Sequence, residues 1–173
     1  MNEQEIFWKG EFGNNYISRN NDTNLLNSNI KFFKKISKHL KDVKSVFEIG
    51  CNIGLNLEAI KFALPKIKLS GIDINTKSIE ILNKKKISKN YLGSFKNFKI
   101  KKKYDLIFTK GVLIHIDPAD LKNYYKKMFE FSNKYILIVE YFNPTPVKIS
   151  YRQPKNKLFK RDFAGDMLTM FNL

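Results

Sequence analysis

Residues 46–56, which read V-F-E-I-G-C-N-I-G-L-N, give the first indication of chemistry in this chain. An apolar run that contains the acid Glu48 leads into a turn with Gly50 and Gly54, where the backbone can approach a ligand and adopt φ values that other residues avoid. A helix after such a turn points its free N–H groups at the ligand. The segment therefore predicts a strand, turn and helix that bind a nucleoside-containing molecule. A glycine-containing turn without a ligand is the alternative.

The glycine spacing argues against a dinucleotide. The fingerprint G-x-G-x-x-G would need glycine at positions 52 and 55, where the chain has Asn52 and Leu55. A carboxylate at Glu48 would repel a pyrophosphate but suits an ammonium and a sulfonium, as in S-adenosylmethionine (SAM). The stretch E-I-G-C-N-I-G resembles motif I, (D/E)-x-G-x-G-x-G, of the class I SAM-dependent methyltransferases. Asn52 replaces the middle glycine, and asparagine tolerates left-handed backbone conformations better than most residues.

A second acid, Asp73, follows the glycine loop at the spacing that a βαβ unit would give. Residues 67–74, I-K-L-S-G-I-D-I, predict a strand that ends near Asp73, nineteen residues after Gly54. In a βαβ unit this is about where an acid binds the two ribose hydroxyls. Asp73 could instead cap the next helix, a role that Asn75 or Thr76 could also fill.

Composition restricts the possible classes of protein. A chain of 173 residues with 43% hydrophobic content suits one domain. It has no run of roughly 18 apolar residues, and its N-terminus is too acidic for a signal peptide, so we place it in the cytoplasm with no membrane insertion. One cysteine, Cys51, and two histidines exclude an internal disulfide and make a poor zinc site, so no metal is expected. We expect Cys51 to offer its backbone to a ligand rather than to act as a nucleophile.

The net charge of +16 raises the question of nucleic acid. Only three of the 32 basic residues are arginine, the residue that phosphate recognition often favours. Ten lysines and one acid lie between residues 77 and 103, around a predicted strand at the sheet's edge. Edge lysines also guard against aggregation, so the pattern favours a solvated edge, and nucleic acid is not the expected partner.

Strands and helices alternate along the chain. The predicted helices cover residues 24–40, 55–64, 78–86 and 118–131, and the predicted strands cover 46–49, 67–74, 89–92, 104–109 and 135–141. This order predicts an α/β fold with a Rossmann-like, doubly wound, mainly parallel sheet. Ligands of such sheets bind at the carboxyl ends of the strands. The class I methyltransferase fold adds a final antiparallel hairpin of strands six and seven, which we expect to be lacking. Residues 160–173 are interpreted as the helix before it, so the chain would be C-terminally truncated, with an exposed sheet edge.

Further blocks resemble a narrower family. The segment F-W-K-G-E-F-G-N-N-Y-I-S-R-N at residues 7–20, K-G-V-L-I-H-I-D-P at 110–118 and Y-F-N-P-T-P-V-K-I-S-Y-R at 141–152 are similar to the methylases found with pseudaminic acid biosynthesis. The resemblance implies methylation of a nonulosonic acid sugar or its precursor. From the residues, we expect an N-terminal arm or lid, residues 1–22, followed by a methyltransferase domain, residues 23–173. The arm could cover the cofactor or simply plug the core with aromatic side chains.

The resemblance also implies site residues. Those expected to bind SAM are Glu48, Gly50, Cys51, Asn52, Gly54, Asp73, Ile74, Ser94, Lys110 and Gly111. Within this set, Glu48 would hold the methionine amino group, Asp73 the ribose, and Ile74 and Ser94 the adenine, although the acid usual at position 94 is absent. Candidates for the substrate site are Tyr16, Arg19, Tyr141, Tyr151 and Arg152.

Methyl transfer needs alignment above all, and a hydroxyl acceptor also needs a base. Candidate catalytic residues are His115, Glu140 and Asn143. A lone histidine in an apolar stretch is also commonly structural. Two other hypotheses stay open: an RNA methyltransferase, which the charge favours, and a non-catalytic protein that binds SAM or nothing as a partner of other enzymes. The sequence leaves the oligomeric state open.

Overall fold

The computed structural model describes residues 1–20, 22–99, 101–151, 153–171 and 173, and for Tyr151 and residues 153–157 it describes only the backbone. Its centre is a five-stranded parallel sheet with the strand order β3-β2-β1-β4-β5. The strands are β1 (Ser45–Ile49), β2 (Lys68–Asp73), β3 (Lys89–Leu92), β4 (Tyr104–Lys110) and β5 (Ser132–Val139). The chain order reverses between β1 and β4, which is where such sheets bind their ligands. The predicted Rossmann-like parallel sheet is confirmed.

Seven α-helices are described. They are α1 (Glu3–Lys9), α2 (Glu11–Arg19), α3 (Thr23–Ser37), α4 (Leu55–Ala63), α5 (Thr76–Lys85), α6 (Pro118–Phe131) and α7 (Phe163–Met170), together with a short 3₁₀ helix at Leu113–His115. Local signals set several ends: Asp22 caps α3 by accepting from the Asn24 N–H, Asn75 caps α5, and Pro118 lies in the first turn of α6. Residues 1–22, predicted as an arm or lid, contain two of these helices.

Two hydrophobic layers cover the sheet, because neighbouring residues of a strand point to opposite faces. Val46, Leu106 and Phe108 pack on the face that carries α3, α4 and α5. Phe47 and Ile107 pack on the other face with α6 and α7. These layers hold the carboxyl ends of the strands in fixed relative positions.

The expected absence of the last hairpin is wrong. An antiparallel pair, β6 (Val147–Tyr151) and β7 (Gln153–Lys160), forms a separate two-stranded sheet, and α7 follows it. β6 and β7 pair only with each other and do not join the five-stranded sheet. The sequence around Pro154 is lysine-rich, and proline within a run argues against a strand. Leu158 of β7 packs into the core beside the 3₁₀ helix.

Candidate active site

The loop after β1 passes close to its neighbours and has an unusual backbone. Gly50, Asn52 and Gly54 have positive φ values of 70°, 46° and 81°. Asn52 thus adopts the left-handed conformation that asparagine tolerates. A Cβ at Gly50 would lie 2.5 Å from Val112 Cγ2, and a Cβ at Gly54 would clash with Leu82 Cδ1, so a side chain at either position would displace its neighbour as well as strain the backbone.

The loop is attached to β2 by backbone hydrogen bonds. The N–H groups of Gly50 and Cys51 both donate to the Ile72 carbonyl, at 2.8 and 3.0 Å. Cys51 is 2% exposed, and burial raises the pKa of its thiol well above the ordinary value. A buried neutral thiol is a weak nucleophile. The Cys51 carbonyl accepts from the Gly54 N–H at 2.8 Å, so both backbone groups of Cys51 are engaged within the protein, and its backbone role toward a ligand stays a prediction.

Asp73 joins the loop to the start of α5. Its Oδ2 accepts from the Asn52 N–H and its Oδ1 from the Asn75 N–H, both at 2.8 Å. Burial raises the pKa of Asp73 above its ordinary value, and the hydrogen bonds from Asn75 and Asn52 oppose this shift. The side chain of Asn75 accepts from the Ser78 N–H, so Asn75, not Asp73, caps the helix.

Glu48 lies behind the loop and is 1% exposed. Asn56 Nδ2 donates to Glu48 Oε1 at 2.7 Å, whereas Glu48 Oε2 and Asn56 Oδ1 have no hydrogen-bond partner among the described residues. Burial raises the pKa of Glu48 well above its ordinary value. Sequence analysis missed Asn56; its position in the first turn of the helix after the glycine loop was the available signal.

A cavity of about 260 Å³ lies at the carboxyl ends of the strands. Most residues predicted to bind SAM line it: Gly50, Cys51, Asn52, Asp73, Ile74, Ser94, Lys110 and Gly111. Glu48 and Gly54 are not among the lining residues. Glu48 is hydrogen-bonded to Asn56, and Gly54 is the N-cap of α4. Tyr16 and His115 also line the cavity, as does Asn56.

Helices α1 and α2 cover this cavity. Asn75, which is 3% exposed, donates through Nδ2 to the carbonyls of Trp8 and Lys9, at 3.3 and 3.4 Å, and to Asn14 Oδ1 at 2.9 Å. Trp8 lines the cavity, whereas Phe7 stacks on Phe12 at 4.0 Å. The N-terminal segment thus both covers the cavity and packs aromatic side chains together.

His115 belongs to the 3₁₀ helix and its ring lies 4.6 Å from that of Trp8. Burial lowers the pKa of His115 to about 4. The imidazole is therefore neutral near pH 7, the form in which a histidine can accept a proton.

Glu140 holds the loop that precedes His115. Its carboxylate accepts from the Thr109 hydroxyl at 2.7 Å and from the N–H groups of Val112 and Leu113 at 2.9 and 3.1 Å. Burial raises the pKa of Glu140. The cavity lining does not include Glu140 among the described residues.

Three other predicted residues, Asn143, Tyr141 and Arg19, are not among the residues that line the cavity. Asn143 donates to the Thr145 carbonyl at 2.6 Å. Tyr141 is exposed, and Lys160 Nζ lies 5.4 Å from the centroid of its ring. The exposed Arg19 lies 5.0 Å from the ring centroid of Phe12. Arg152 lies outside the described residues, and so does the side chain of Tyr151. The structure brings most of the residues predicted to bind SAM to one cavity, and the roles of all these residues stay predictions.

A second cavity of about 740 Å³ adjoins the first. Asn2, Gln4 and Asp117 line both cavities. The second one lies between α1 and the β6–β7 hairpin, and its wall includes Lys148, Lys160 and Arg161. Arg161 pairs with Asp166 at 2.7 Å.

No group of three or more His, Cys, Asp or Glu side chains in the part of the chain that the structure describes could hold a metal ion. None of its helices is long and apolar enough to span a membrane.

Comparison with known proteins supports the interpretation of the cavity. Residues 47–132 match the family model described as a methyltransferase domain. The solved structure of the plantazolicin methyltransferase BpumL, in complex with a monoazolic desmethylPZN analog and SAH, aligns at 26% identity and a TM-score of 0.63, over 80% of this chain and 57% of that one. The sugar N-methyltransferase KedS8 from Streptoalloteichus sp ATCC 53650 aligns at 12% identity and a TM-score of 0.62, over 83% and 62%, and shares the fold. The chain thus spans less than two thirds of either protein. No curated protein matches it.

Proposed function

We propose that this chain, a class I SAM-dependent methyltransferase whose cofactor is SAM, transfers a methyl group to a small-molecule acceptor. The observation that carries the proposal is the cavity at the ends of β1, β2 and β4. Its glycine loop is held to Asp73 by the Asn52 N–H, at 2.8 Å. SAM supplies the methyl group as an electrophile attached to a sulfonium.

The cavity supports a specific orientation of the cofactor. Asp73 would accept from the ribose hydroxyls, because carboxylate oxygens keep further lone pairs after one hydrogen bond each. Asn56 Oδ1, unpartnered among the described residues, would accept from the methionine ammonium. Glu48 stands behind it and would add negative charge where the ligand brings positive charge. Lys110 and Gly111 would border the methionine.

His115 is the best placed of the candidate bases. It lines the cofactor cavity and stands on a loop held by Glu140, although burial lowers its pKa and so weakens it as a proton acceptor. In the proposed reaction an acceptor hydroxyl or amine forms a bond to the methyl carbon as the carbon–sulfur bond breaks. His115 would take the proton that the acceptor loses, and holding the acceptor in line would supply most of the acceleration.

The finer proposal is that the acceptor is an acidic sugar of the nonulosonic type. Its support is the resemblance of residues 7–20, 110–118 and 141–152 to the pseudaminic acid-associated methylases, together with the basic wall of the second cavity. Lys148 and Lys160 line that wall, and the cavity meets the first one at Asp117. Cations near the mouth suit a carboxylate-bearing acceptor.

A methyl-transfer assay tests this function. The protein is incubated with methyl-labelled SAM and with either an acidic nonulosonate or a neutral hexose, each also as its nucleotide-activated form. We expect label in the acidic sugar, and an acceptor KM raised about three- to tenfold in Lys160→Gln, as for the loss of one charge-assisted contact. Lys122→Gln, a change at an exposed position of α6, is the matched control. Equal transfer to neutral sugars would contradict the acidic acceptor. In a parallel reaction with RNA as the acceptor, label in RNA but in neither sugar would favour the nucleic-acid alternative.

A further inference from the structure

Glu5 of α1 reaches the end of β3. Ser94, just beyond that strand, donates its hydroxyl to Glu5 Oε1, and Tyr124 is hydrogen-bonded to the same hydroxyl. Glu5 Oε2 accepts from the Asn2 N–H at 3.2 Å as part of a capping box. Two separate contacts therefore fix the position of the Glu5 carboxylate.

This carboxylate faces the cofactor cavity. Glu5 and Ser94 both line it. An ionised carboxylate can accept about four hydrogen bonds, and only one donor has been described here for each oxygen of Glu5. Both oxygens thus retain acceptor capacity toward a donor in the cavity.

The other acids that line the cavity are engaged differently. Asp73 holds the glycine loop, Asp117 caps α6 through the Ala119 N–H, and Asp120 pairs with Lys96. Of these, Asp73 is at the end of β2, the strand between β1 and β3. A nucleoside with its ribose at Asp73 and its sulfonium side at β1 and β4 has its base directed toward β3, where Ile74, Ser94 and Glu5 line the wall.

We propose that Glu5 recognises the adenine of the cofactor by accepting a hydrogen bond from its 6-amino group, so that the N-terminal helix completes the base pocket. The proposal rests on the function proposed above. Ser94 would orient the carboxylate rather than replace it. Glu5 thus brings a carboxylate to the neighbourhood of Ser94 from residue 5 of the chain.

Selectivity between two bases tests the role of Glu5. S-adenosylhomocysteine and its 6-oxo counterpart, S-inosylhomocysteine, differ at the group in question, because the 6-oxo group is an acceptor and would face the carboxylate unfavourably. Calorimetry gives the dissociation constant of each ligand for the wild type, Glu5→Ala and Glu5→Gln. Glu3→Gln changes an exposed acid of the same helix and is the matched control.

We expect the wild type and Glu3→Gln to prefer the adenine ligand by about 10- to 100-fold, the range for a hydrogen bond to a charged group. Both Glu5 variants should reduce this ratio to about threefold or less. If the substitutions merely loosened the helix, the binding of both ligands would weaken together and the ratio of their dissociation constants would not change. An unchanged ratio therefore overturns the proposal. If the wild type binds neither ligand, the proposed function itself fails. Binding with an unaltered ratio in the variants removes only the role of Glu5.

Discussion

The backbone N–H of Asn52 donates to Oδ2 of Asp73 at 2.8 Å, and so joins the glycine loop after β1 to the acid at the end of β2. Asp73 also accepts from the Asn75 N–H, and Asn75 in turn holds the N-terminal helices. The glycine loop, Asp73 and the two N-terminal helices that cover the cavity are therefore connected by hydrogen bonds. A change in any of them is expected to affect binding at the same cavity.

The cover depends on the side-chain donor of Asn75. Asn75→Ser keeps an N-cap acceptor for α5 but removes the donor to Trp8, Lys9 and Asn14. We expect cleavage within residues 1–20 in limited proteolysis to be about three- to tenfold faster, because roughly 1 kcal/mol of local stabilisation is lost. Asn90→Ser removes an exposed bond to Asn83 and serves as the control. Equal cleavage of both variants would show that Asn75 does not hold the cover.

Glu140 is expected to act by positioning the loop at Val112 and Leu113. Glu140→Gln replaces one carboxylate oxygen by an N–H₂ group near backbone donors, and should lower the free energy of unfolding by about 1–3 kcal/mol, with kcat reduced and SAM affinity little changed. Denaturant unfolding and steady-state kinetics measure both effects, with the exposed Glu130→Gln as control. A large loss of kcat with unchanged stability and a lost pH limb would instead make Glu140 the base.

His115 predicts a pH dependence of stability. Its folded pKa of about 4 lies below the ordinary 6.5, so the unfolded chain binds the proton more tightly. The stabilisation is complete above about pH 6.5 and is lost as the pH falls toward 4. Thermal unfolding of the wild type and His115→Gln should therefore converge over this window, while His39→Gln, at an exposed position, should follow the wild type. Parallel curves for the wild type and His115→Gln would argue against a buried neutral imidazole.

The raised pKa of Glu48 predicts a pH dependence of stability of opposite sign to that of His115. Because burial raises its folded pKa well above 4.5, the folded state holds the proton more tightly, and this contribution to stability declines as the pH rises from about 4.5 through the folded pKa. Glu48→Gln keeps an acceptor for Asn56 and avoids burying a charge. Without cofactor, the variant should be more stable than the wild type at pH 8 by about 1–3 kcal/mol, yet bind SAM more weakly.

The exposed Glu80→Gln is the control for this change. Chemical unfolding between pH 5 and 8 measures the difference. A wild type that gains stability relative to Glu48→Gln as the pH rises would contradict a Glu48 carboxyl whose pKa is raised by burial.

Sequence analysis predicted the elements whose signals are local. The strand Lys89–Leu92 and the helix Pro118–Phe131 have the predicted bounds, since Pro118 and the adjacent Asp117 cap mark the helix start directly. The left-handed Asn52 and the register of Asp73 also follow from short-range spacing, because the chain between the two residues forms a single βαβ step.

The missed features depend on contacts distant in sequence. Glu5 meets Ser94 and Asn75 meets Trp8 only after the chain has folded, and no periodicity marks either pair. The β6–β7 hairpin was not predicted from the sequence, because its strands pair with each other outside the main sheet. Arg152 lies outside the described residues, so its substrate role stays a prediction.

The most direct test of the cofactor site is calorimetric titration with S-adenosylhomocysteine of the wild type, Asp73→Ala and Asp105→Ala. Asp105 is a matched control, because its carboxylate also accepts two backbone N–H groups, from Lys44 and Ser45, but at the amino-terminal edge of the sheet. Both variants should lose about 1–3 kcal/mol of stability. Only Asp73→Ala should weaken binding, by at least about tenfold. Absence of binding by the wild type, or equal affinity in Asp73→Ala and Asp105→Ala, would contradict a SAM site at this cavity.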